Sequence, residues 1–278
     1  MWCIISLIFV IFIIFLVLIS YLVCGNWEAP NNYTENQRHF YEPLTELPIV
    51  KKIKPMKICV FVVATDDIMN YAKYSIPLIN KWCEQHGYDL RIFDKLLDKS
   101  IPINFTKIIA TIDLMNEKVN GKNKYDYIMH IDADAPIINF DYPIENIIQT
   151  YMKGIVSTLF SEDCYNKKIC SKPGRQNSGV YIVHNGYWGK KVMQKWIDSA
   201  KGDCSKYVNK FPNCQLVLWN CVVPKYFFTI TTLPYNILNG IDGLLVTHQM
   251  QKCLRERIDA IKKIYNEEFD VKRMQVFI

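Results

Sequence analysis

No block of five like charges occurs in the 278 residues, and the net charge is only +6. The chain therefore has no electrostatic footprint for nucleic acid. No cysteine or histidine spacing fits a zinc site. No Gly-x-Gly-x-x-Gly follows the first apolar run of the body, which argues against a dinucleotide fold. A Gly-rich loop with basic residues is missing from the same place, which disfavours a nucleotidyltransferase of sugar phosphates. Charge is absent from residues 2–23, where the only polar side chains are Cys3, Ser6, Ser20 and the Tyr21 hydroxyl. What the chain has in quantity is apolar. Half of it is hydrophobic, enough for a large core.

The uncharged run over 2–23 is long enough for a bilayer core of about 30 Å. A cleaved signal peptide would have an apolar region of about 7–15 residues, a basic start and a small-residue cleavage site. This run is longer, lacks the basic start and ends Tyr-Leu-Val-Cys-Gly. Residues 1–24 are expected to be an uncleaved transmembrane anchor. Charge does not mark its orientation, since the first Lys or Arg is Arg38. Asn32-Tyr-Thr and Asn104-Phe-Thr have the form of glycosylation acceptors, and favour a lumenal body in the Golgi or ER. Residues 25–55 hold Pro30, Pro43, Pro48 and Pro55 without a sustained apolar period, and read as an extended stem. The catalytic body is expected over 56–278.

Of ten cysteines, Cys3 and Cys24 belong to the expected anchor and eight remain. An even number in a lumenal domain permits disulfides. Cys164 with Cys170, and Cys204 with Cys214, are the nearest pairs and the first expected bridges. Cys59 lies in an apolar run and reads as a buried thiol.

The body is organised around residues 125–139, Tyr-Asp-Tyr-Ile-Met-His-Ile-Asp-Ala-Asp-Ala-Pro-Ile-Ile-Asn. Tyr127 to Ile131 read as a buried strand. Asp132 and Asp134 follow two apart, so a period of two sends both carboxylates to one side. Paired carboxylates repel unless a cation lies between them. Hard oxygen ligands at a strand end suit manganese or magnesium, with phosphate oxygens completing the shell. Open α/β sheets bind ligands beyond the carboxyl ends of their strands. The stretch resembles the signature of GT-A glycosyltransferases, whose paired aspartates hold a metal on the diphosphate of a nucleotide-sugar.

Around it the pattern alternates strand and helix. A continuous apolar run over 57–65 reads as the first strand. Thr65 and Asp66 at its end are placed to read a nucleoside, or Asp67 caps a turn there. Residues 70–86 have helical spacing, with Gly87 as cap, and 88–93 read as a strand. Residues 105–119 read as a helix with Lys107 near its start, where a nearby anion would explain a lysine that opposes the dipole. A strand over 154–160 is followed by Asp163, which could bond to an acceptor hydroxyl or take its proton. Asn177, Ser178 and Gly179 lead into an apolar strand to Asn185, and Gly179 lets backbone come close to a ligand. A helix over 190–200, helical spacing over 211–223, a strand over 226–233 and a loop over 234–243 complete the pattern. Leu244 to Thr247 lead into His248.

Lys107, His-Ile-Asp132-Ala-Asp134-Ala, Asp163, the Asn177–Asn185 block and the Tyr-Trp that follows it occur in an order resembling family thirty-four of the glycosyltransferases. These are Golgi α-galactosyl-, α-mannosyl- and α-xylosyltransferases. The resemblance covers residues 57–257. It implies a GT-A fold, an α/β mixed sheet flanked by helices. It also implies transfer of a hexose or pentose to a glycan or glycoprotein, with retention. Metal ligands would be Asp132, Asp134 and, as in many GT-A enzymes, a late histidine, here His248. Lys107, Asp132, Asn177, Ser178 and Gly179 would contact the donor, while Asp163 and Gln215 would face the acceptor. The chain departs from the pattern at His130, usually Trp or Leu, at His184, usually Arg, and in lacking Gly three residues after His248. Those departures keep a second reading open, a membrane-displayed binding protein on a GT-A scaffold without turnover.

Overall fold

The structure, a computed structural model, describes residues 42–166, 169–170 and 174–275. The expected anchor, the stem up to residue 41 and Asn32 lie outside the described residues. Among those described, no helix is long and apolar enough to cross a membrane.

Six strands form one sheet: β1 (Ile58–Val63), β2 (Asp89–Phe93), β3 (Tyr127–Ile131), β4 (Thr158–Glu162), β5 (Gln176–His184) and β6 (Ile230–Leu233). Their order across the sheet is β6-β4-β5-β3-β1-β2. β1 pairs in parallel with β2 and β3, and β4 with β6, while β5 runs against both β3 and β4. The result is a mixed sheet whose parallel strands all point their carboxyl ends to one edge.

Side-chain alternation sets the layers. Ile58, Val60 and Val62 of β1 join one buried cluster, and Cys59 and Phe61 join the other. A strand buried on both faces reads as an unbroken apolar run. On the first face pack α1 (Met69–His86), through Ala72, Ile79 and Trp82, and α3 (Glu145–Tyr151), through Ile147 and Ile148. On the second pack α2 (Thr106–Asn116), through Ile108 and Leu114, and α4 (Tyr187–Lys201), through Val192 and Trp196. Trp82 and Trp196 are fully buried with their indole N–H groups on the Tyr142 and Cys214 carbonyls. Truncating either to alanine would cost about 3–5 kcal/mol. The last helix, α5 (Leu254–Gln275), lies along α1, with the Tyr74 and Tyr265 rings 5.6 Å apart.

Helix α1 ends as its sequence predicts, at Gly87 in the left-handed conformation with φ 72°. Other boundaries differ. The helix expected over 105–119 stops at Asn116, because Glu117 is extended. Lys118–Val119 and Lys122–Asn123 then pair across a two-residue Asn120-Gly121 turn with both φ positive. The helical stretch expected over 211–223 breaks into a short helix at Cys214–Val217 and a π-turn at Leu218–Val222. The strand expected over 226–233 begins only at Ile230, after a turn at Phe227–Thr229.

The described part of the expected stem does not stand off from the body. Leu44 and Leu47 pack on the core, and the backbone of Leu44 bonds in both directions to the Asn236 amide. The Tyr142 hydroxyl donates to the Pro48 carbonyl. The N–H groups of Val50 and Lys54 donate to Asn146 and Gln149. Residues 44–54 are a strap held by the body.

Candidate metal centre

Strand β3 ends at Ile131, so Asp132 and Asp134 lie beyond it, in a turn closed by the Ala135 N–H on the Asp132 carbonyl at 2.9 Å. The two carboxylates converge, but a turn brings them together and not the strand period. The Asp132 N–H donates to the Gly179 carbonyl at 2.7 Å, tying the turn to β5. Ile137 and Val246 form a single bridge, which delivers the following residues, Thr247 and His248, to the same edge. The Gln249 N–H bonds the Asp134 carbonyl at 2.9 Å. One ligand atom from each of Asp132, Asp134 and His248 lies within 4.8 Å of the others. Two carboxylates and an imidazole form a donor set suited to manganese.

Each ligand is held by a partner. The Asp132 Oδ1 accepts from Lys107 Nζ at 2.9 Å and from His130 Nε2 at 2.8 Å. Burial alone would raise the Asp132 pKa, but Lys107 and His130 outweigh it and hold the carboxyl below the usual range. Burial also works against the charge on Lys107, and Asp132 outweighs it, so that pKa is raised. Burial lowers the His130 pKa to about 4, so its ring is neutral and donates Nε2–H. With Oδ1 doubly occupied, Oδ2 is the Asp132 oxygen left to face the centre. Lys107 Nζ also donates to the Ser178 carbonyl at 2.9 Å.

His248 is oriented by Asn239. The Asn239 Nδ2 donates to the carbonyls of Glu162 and Cys164 at 2.9 and 3.1 Å, so its Oδ1 is the atom that faces His248 Nδ1, at 2.8 Å. Nδ1 therefore carries a hydrogen, and Nε2 turns to Asp134 Oδ1 at 3.2 Å. Burial disfavours a charged His248, but the Asp134 carboxylate outweighs it and raises the ring's pKa. A cation would take the place of the proton held there. Arg257 Nε lies 3.3 Å from the second oxygen of Asp134.

Gly179 leaves the room. A Cβ built on it would lie 2.3 Å from His248 Cε1 and 2.9 Å from both Asp132 Oδ2 and Asn177 Oδ1. The centre is thus a cradle that any side chain at 179 would fill, and its residues fit a divalent cation.

The other expected residues spread outward from it. Asn177 receives the Gly179 N–H on Oδ1 at 2.7 Å and donates Nδ2 to Asp163 at 2.8 Å. Gln215, buried, accepts the Ser178 N–H at 2.7 Å and its hydroxyl at 3.1 Å. Thr65 and Asp66 follow the carboxyl end of β1, next to β3, and so share the edge. No hydrogen bond joins them to the centre, and the Thr65 hydroxyl donates to Asp67. Of the basic residues after His248, Arg257 reaches the site. Sequence reasoning missed His130 and Asn239 as partners of the ligands. His130 was legible, since it stands on the strand only two residues before Asp132. Asn239 stands on the loop over 234–243, expected near the site, but nothing local pairs it with His248, nine residues away.

Two disulfides lie among the described residues, Cys164–Cys170 and Cys204–Cys221. The first is as expected. The second replaces the expected Cys204–Cys214 pair, and Cys214 is instead a buried free thiol 3.6 Å from the Ser178 hydroxyl.

No protein-family model matches the chain, and no curated protein matches it. Among solved structures it is similar to a glycosyltransferase involved in the glycosylation of the major capsid of PBCV-1. That match has a TM-score of 0.58 at 16% identity and covers 74% of this chain and 99% of the other. It is also similar to the glycosyltransferase GlyE of Streptococcus pneumoniae TIGR4, with a TM-score of 0.47 at 14% identity over 78% of this chain and 64% of that one. For the galactosyltransferase LgtC in complex with donor and acceptor sugar analogues the TM-score is 0.46 at 12% identity, over 75% and 95%. The likeness to the first is one of fold, a GT-A-like mixed sheet flanked by helices.

Proposed function

We propose that the protein is a metal-dependent glycosyltransferase that moves a sugar from a nucleotide-sugar to a glycan or glycoprotein acceptor. The observation that carries this reading is the Asp132, Asp134 and His248 cluster at the carboxyl edge of a GT-A-like sheet, with its ligand atoms within 4.8 Å of one another. Ligands of open α/β sheets bind at that edge.

Asp132, Asp134 and His248 would hold a divalent cation, which would supply Lewis-acid neutralisation of the leaving diphosphate, worth several kcal/mol. The chain's own residues prepare the place. Lys107 and His130 hold Asp132 ionised and aimed. Asn239 fixes which nitrogen of His248 is presented. Gln215 accepts from Ser178, and its amide nitrogen is left to donate toward a sugar or acceptor oxygen. Asp163, held by Asn177, is the carboxylate offered to an acceptor hydroxyl. Retention, membership of family thirty-four and a lumenal Golgi or ER setting behind a membrane anchor belong to the same reading. Their support is the order of the motifs, the apolar run over 2–23 and two disulfides that suit an oxidising compartment.

The test is a nucleotide-sugar screen with manganese, reading released nucleoside diphosphate. Manganese should restore activity lost to chelator, and Asp134→Ala should remain folded and inactive. An active Asp134→Ala removes the mechanism. Failure to bind any donor with manganese would leave the non-catalytic scaffold as the better reading.

A further inference from the structure

Arg175 lies at the carboxyl edge, just before β5, and nothing in the transfer chemistry uses it. Its carbonyl accepts the Asp163 N–H at 2.7 Å, which carries the pairing of β4 with β5 one step past Glu162 and Gln176. Its guanidinium carbon sits 4.3 Å from the centre of the Trp219 ring. The Trp219 indole N–H donates to the Gln176 carbonyl at 2.8 Å, which fixes the ring against the start of β5. Trp219 stands four residues after Gln215, whose side chain accepts from Ser178 further along the same strand. Asp163 in turn accepts from Asn177 at 2.8 Å, and Asn177 Oδ1 borders the room left by Gly179. Asp163, Arg175, Trp219 and Gln215 therefore follow one stretch of the edge that begins at the wall of the metal cradle.

The cations beside the metal ligands are engaged. Lys107 reaches Asp132, and Arg257 reaches Asp134. Arg175 differs. Among the described residues no carboxylate comes within ion-pair reach of it, and no oxygen accepts from its guanidinium. Burial lowers its pKa, and the charge of Asp163 offsets this only in part. The guanidinium is half-buried, so it has lost part of its water without gaining a protein acceptor. That costs free energy unless a ligand supplies the acceptor. Stacking on Trp219 engages the guanidinium face and leaves its N–H donors for that ligand. The sequence over 164–175 adds Lys167, Lys168 and Lys172 and no acidic residue.

We infer that Arg175 reads an anionic group, a carboxylate or a phosphate, on the acceptor sugar. This rests on the transferase function, in which Asp163 and Gln215 face the acceptor. A planar guanidinium pairs with either anion through two parallel hydrogen bonds. Asp163 repels the same anion, which sets the direction of the acceptor. Its charged end lies on Arg175 and its hydroxyl end on Asp163. Four residues of strand separate Arg175 from Gly179, a span of about 13 Å or less. An acceptor seated on Arg175 thus borders a donor sugar held at the cation. A neutral acceptor would leave the guanidinium unpaired, and this mismatch is the source of the selectivity.

The test is calorimetry on the full-length chain in detergent with manganese. The probes are methyl glucosides and galactosides, matched with their uronates and their 6-phosphates. The anionic members should bind about 10–100-fold more tightly than their neutral partners. The uronate and phosphate arms show which anion fits. Salt at about 0.5 M screens exposed lysines, so the preference that remains belongs to a close pair. Arg175→Gln should abolish the preference, and Arg175→Lys, which keeps the charge and loses the fork, should retain part of it. The preference is a ratio within each variant, so a loss of folded protein does not imitate the effect. Neutral and anionic sugars bound alike, or no sugar bound at all, overturns the inference, as does a preference that survives Arg175→Gln. A preference for uronate over hexose nucleotide donors that Arg175→Gln removes, with none among acceptors, assigns Arg175 to the donor and overturns it too. Anionic sugars bound through Arg175 without turnover of any donor would keep the anion subsite and remove the transferase. Manganese-dependent donor hydrolysis without the preference would keep the transferase and remove the subsite.

Discussion

Asn239 Oδ1 sits 2.8 Å from His248 Nδ1, with both side chains buried. The bond matters because a histidine binds metal through the nitrogen that lacks a hydrogen. Asn239→Ala removes the acceptor and orphans two carbonyls, Glu162 and Cys164. Manganese affinity by calorimetry should fall about 10–100-fold. Stability should fall by about 1–3 kcal/mol. Asn239→Asp keeps an acceptor for Nδ1–H and should hold manganese better than the alanine variant. Equal affinity in both would show that the amide only supports the loop.

Gly179→Ala tests whether the cradle is space or backbone freedom. No positive φ is needed at 179, so a methyl group is not opposed by backbone strain. It is opposed by contact, at 2.3 Å from His248 Cε1. One of the ligands must move. The fold should survive with a loss of about 1–3 kcal/mol. Manganese binding, followed by electron paramagnetic resonance, should weaken at least about tenfold. Unchanged binding would mean that the cation sits elsewhere.

The strap over 44–54 makes a prediction about where the body begins. Two leucines on the core and several hydrogen bonds, offset by the entropy of ordering the strap, contribute on the order of 2 kcal/mol. A chain starting at residue 56 should therefore melt about 4–8 °C below one starting at residue 42. Tyr142→Phe, which loses only the bond to the Pro48 carbonyl, should reproduce a small part of the difference. Equal melting temperatures would mean that the strap rests on the body without stabilising it.

Local signals carried much of the fold. The apolar run at 57–65 and the Gly87 cap mark β1 and the end of α1 because burial and left-handed backbone leave direct marks on sequence. Where two local signals compete, sequence alone chose wrongly. The apolar spacing over 105–119 carried the expected helix up to the Asn120-Gly121 turn, with Val119 as its last residue. Val119 is 51% exposed on the hairpin that the Asn-Gly turn closes. The aspartate pair was legible as a cation site, yet its partners divide by distance along the chain. Lys107 was expected to meet an anion, and the anion it meets is Asp132. That contact spans 25 residues, and only the packing of α2 on β3 makes it.

The cysteines show the same limit and give a last test. Short sequence separation favoured Cys204 with Cys214, but Cys214 starts a helical turn whose thiol points to Ser178, and Cys221 lies where Cys204 can reach it. Four free thiols remain among the described residues: Cys59, Cys83 and Cys214, buried, and Cys253, exposed. Only the thiolate reacts with alkylating reagents. Burial pushes the Cys59 pKa up to about 12 and raises those of Cys83 and Cys214 as well. The sign is the same for all three: raising the pKa removes thiolate at every working pH below it. At about pH 8 the folded protein should therefore label at Cys253 and spare the buried three. Unfolding without reductant should add Cys59, Cys83 and Cys214, and leave Cys204 and Cys221 blocked until reductant is supplied. Peptide mapping reads each position separately. Cys221 labelled without reduction, with Cys214 blocked, would restore the pairing that sequence spacing favoured and withdraw Cys214 from the wall behind Ser178.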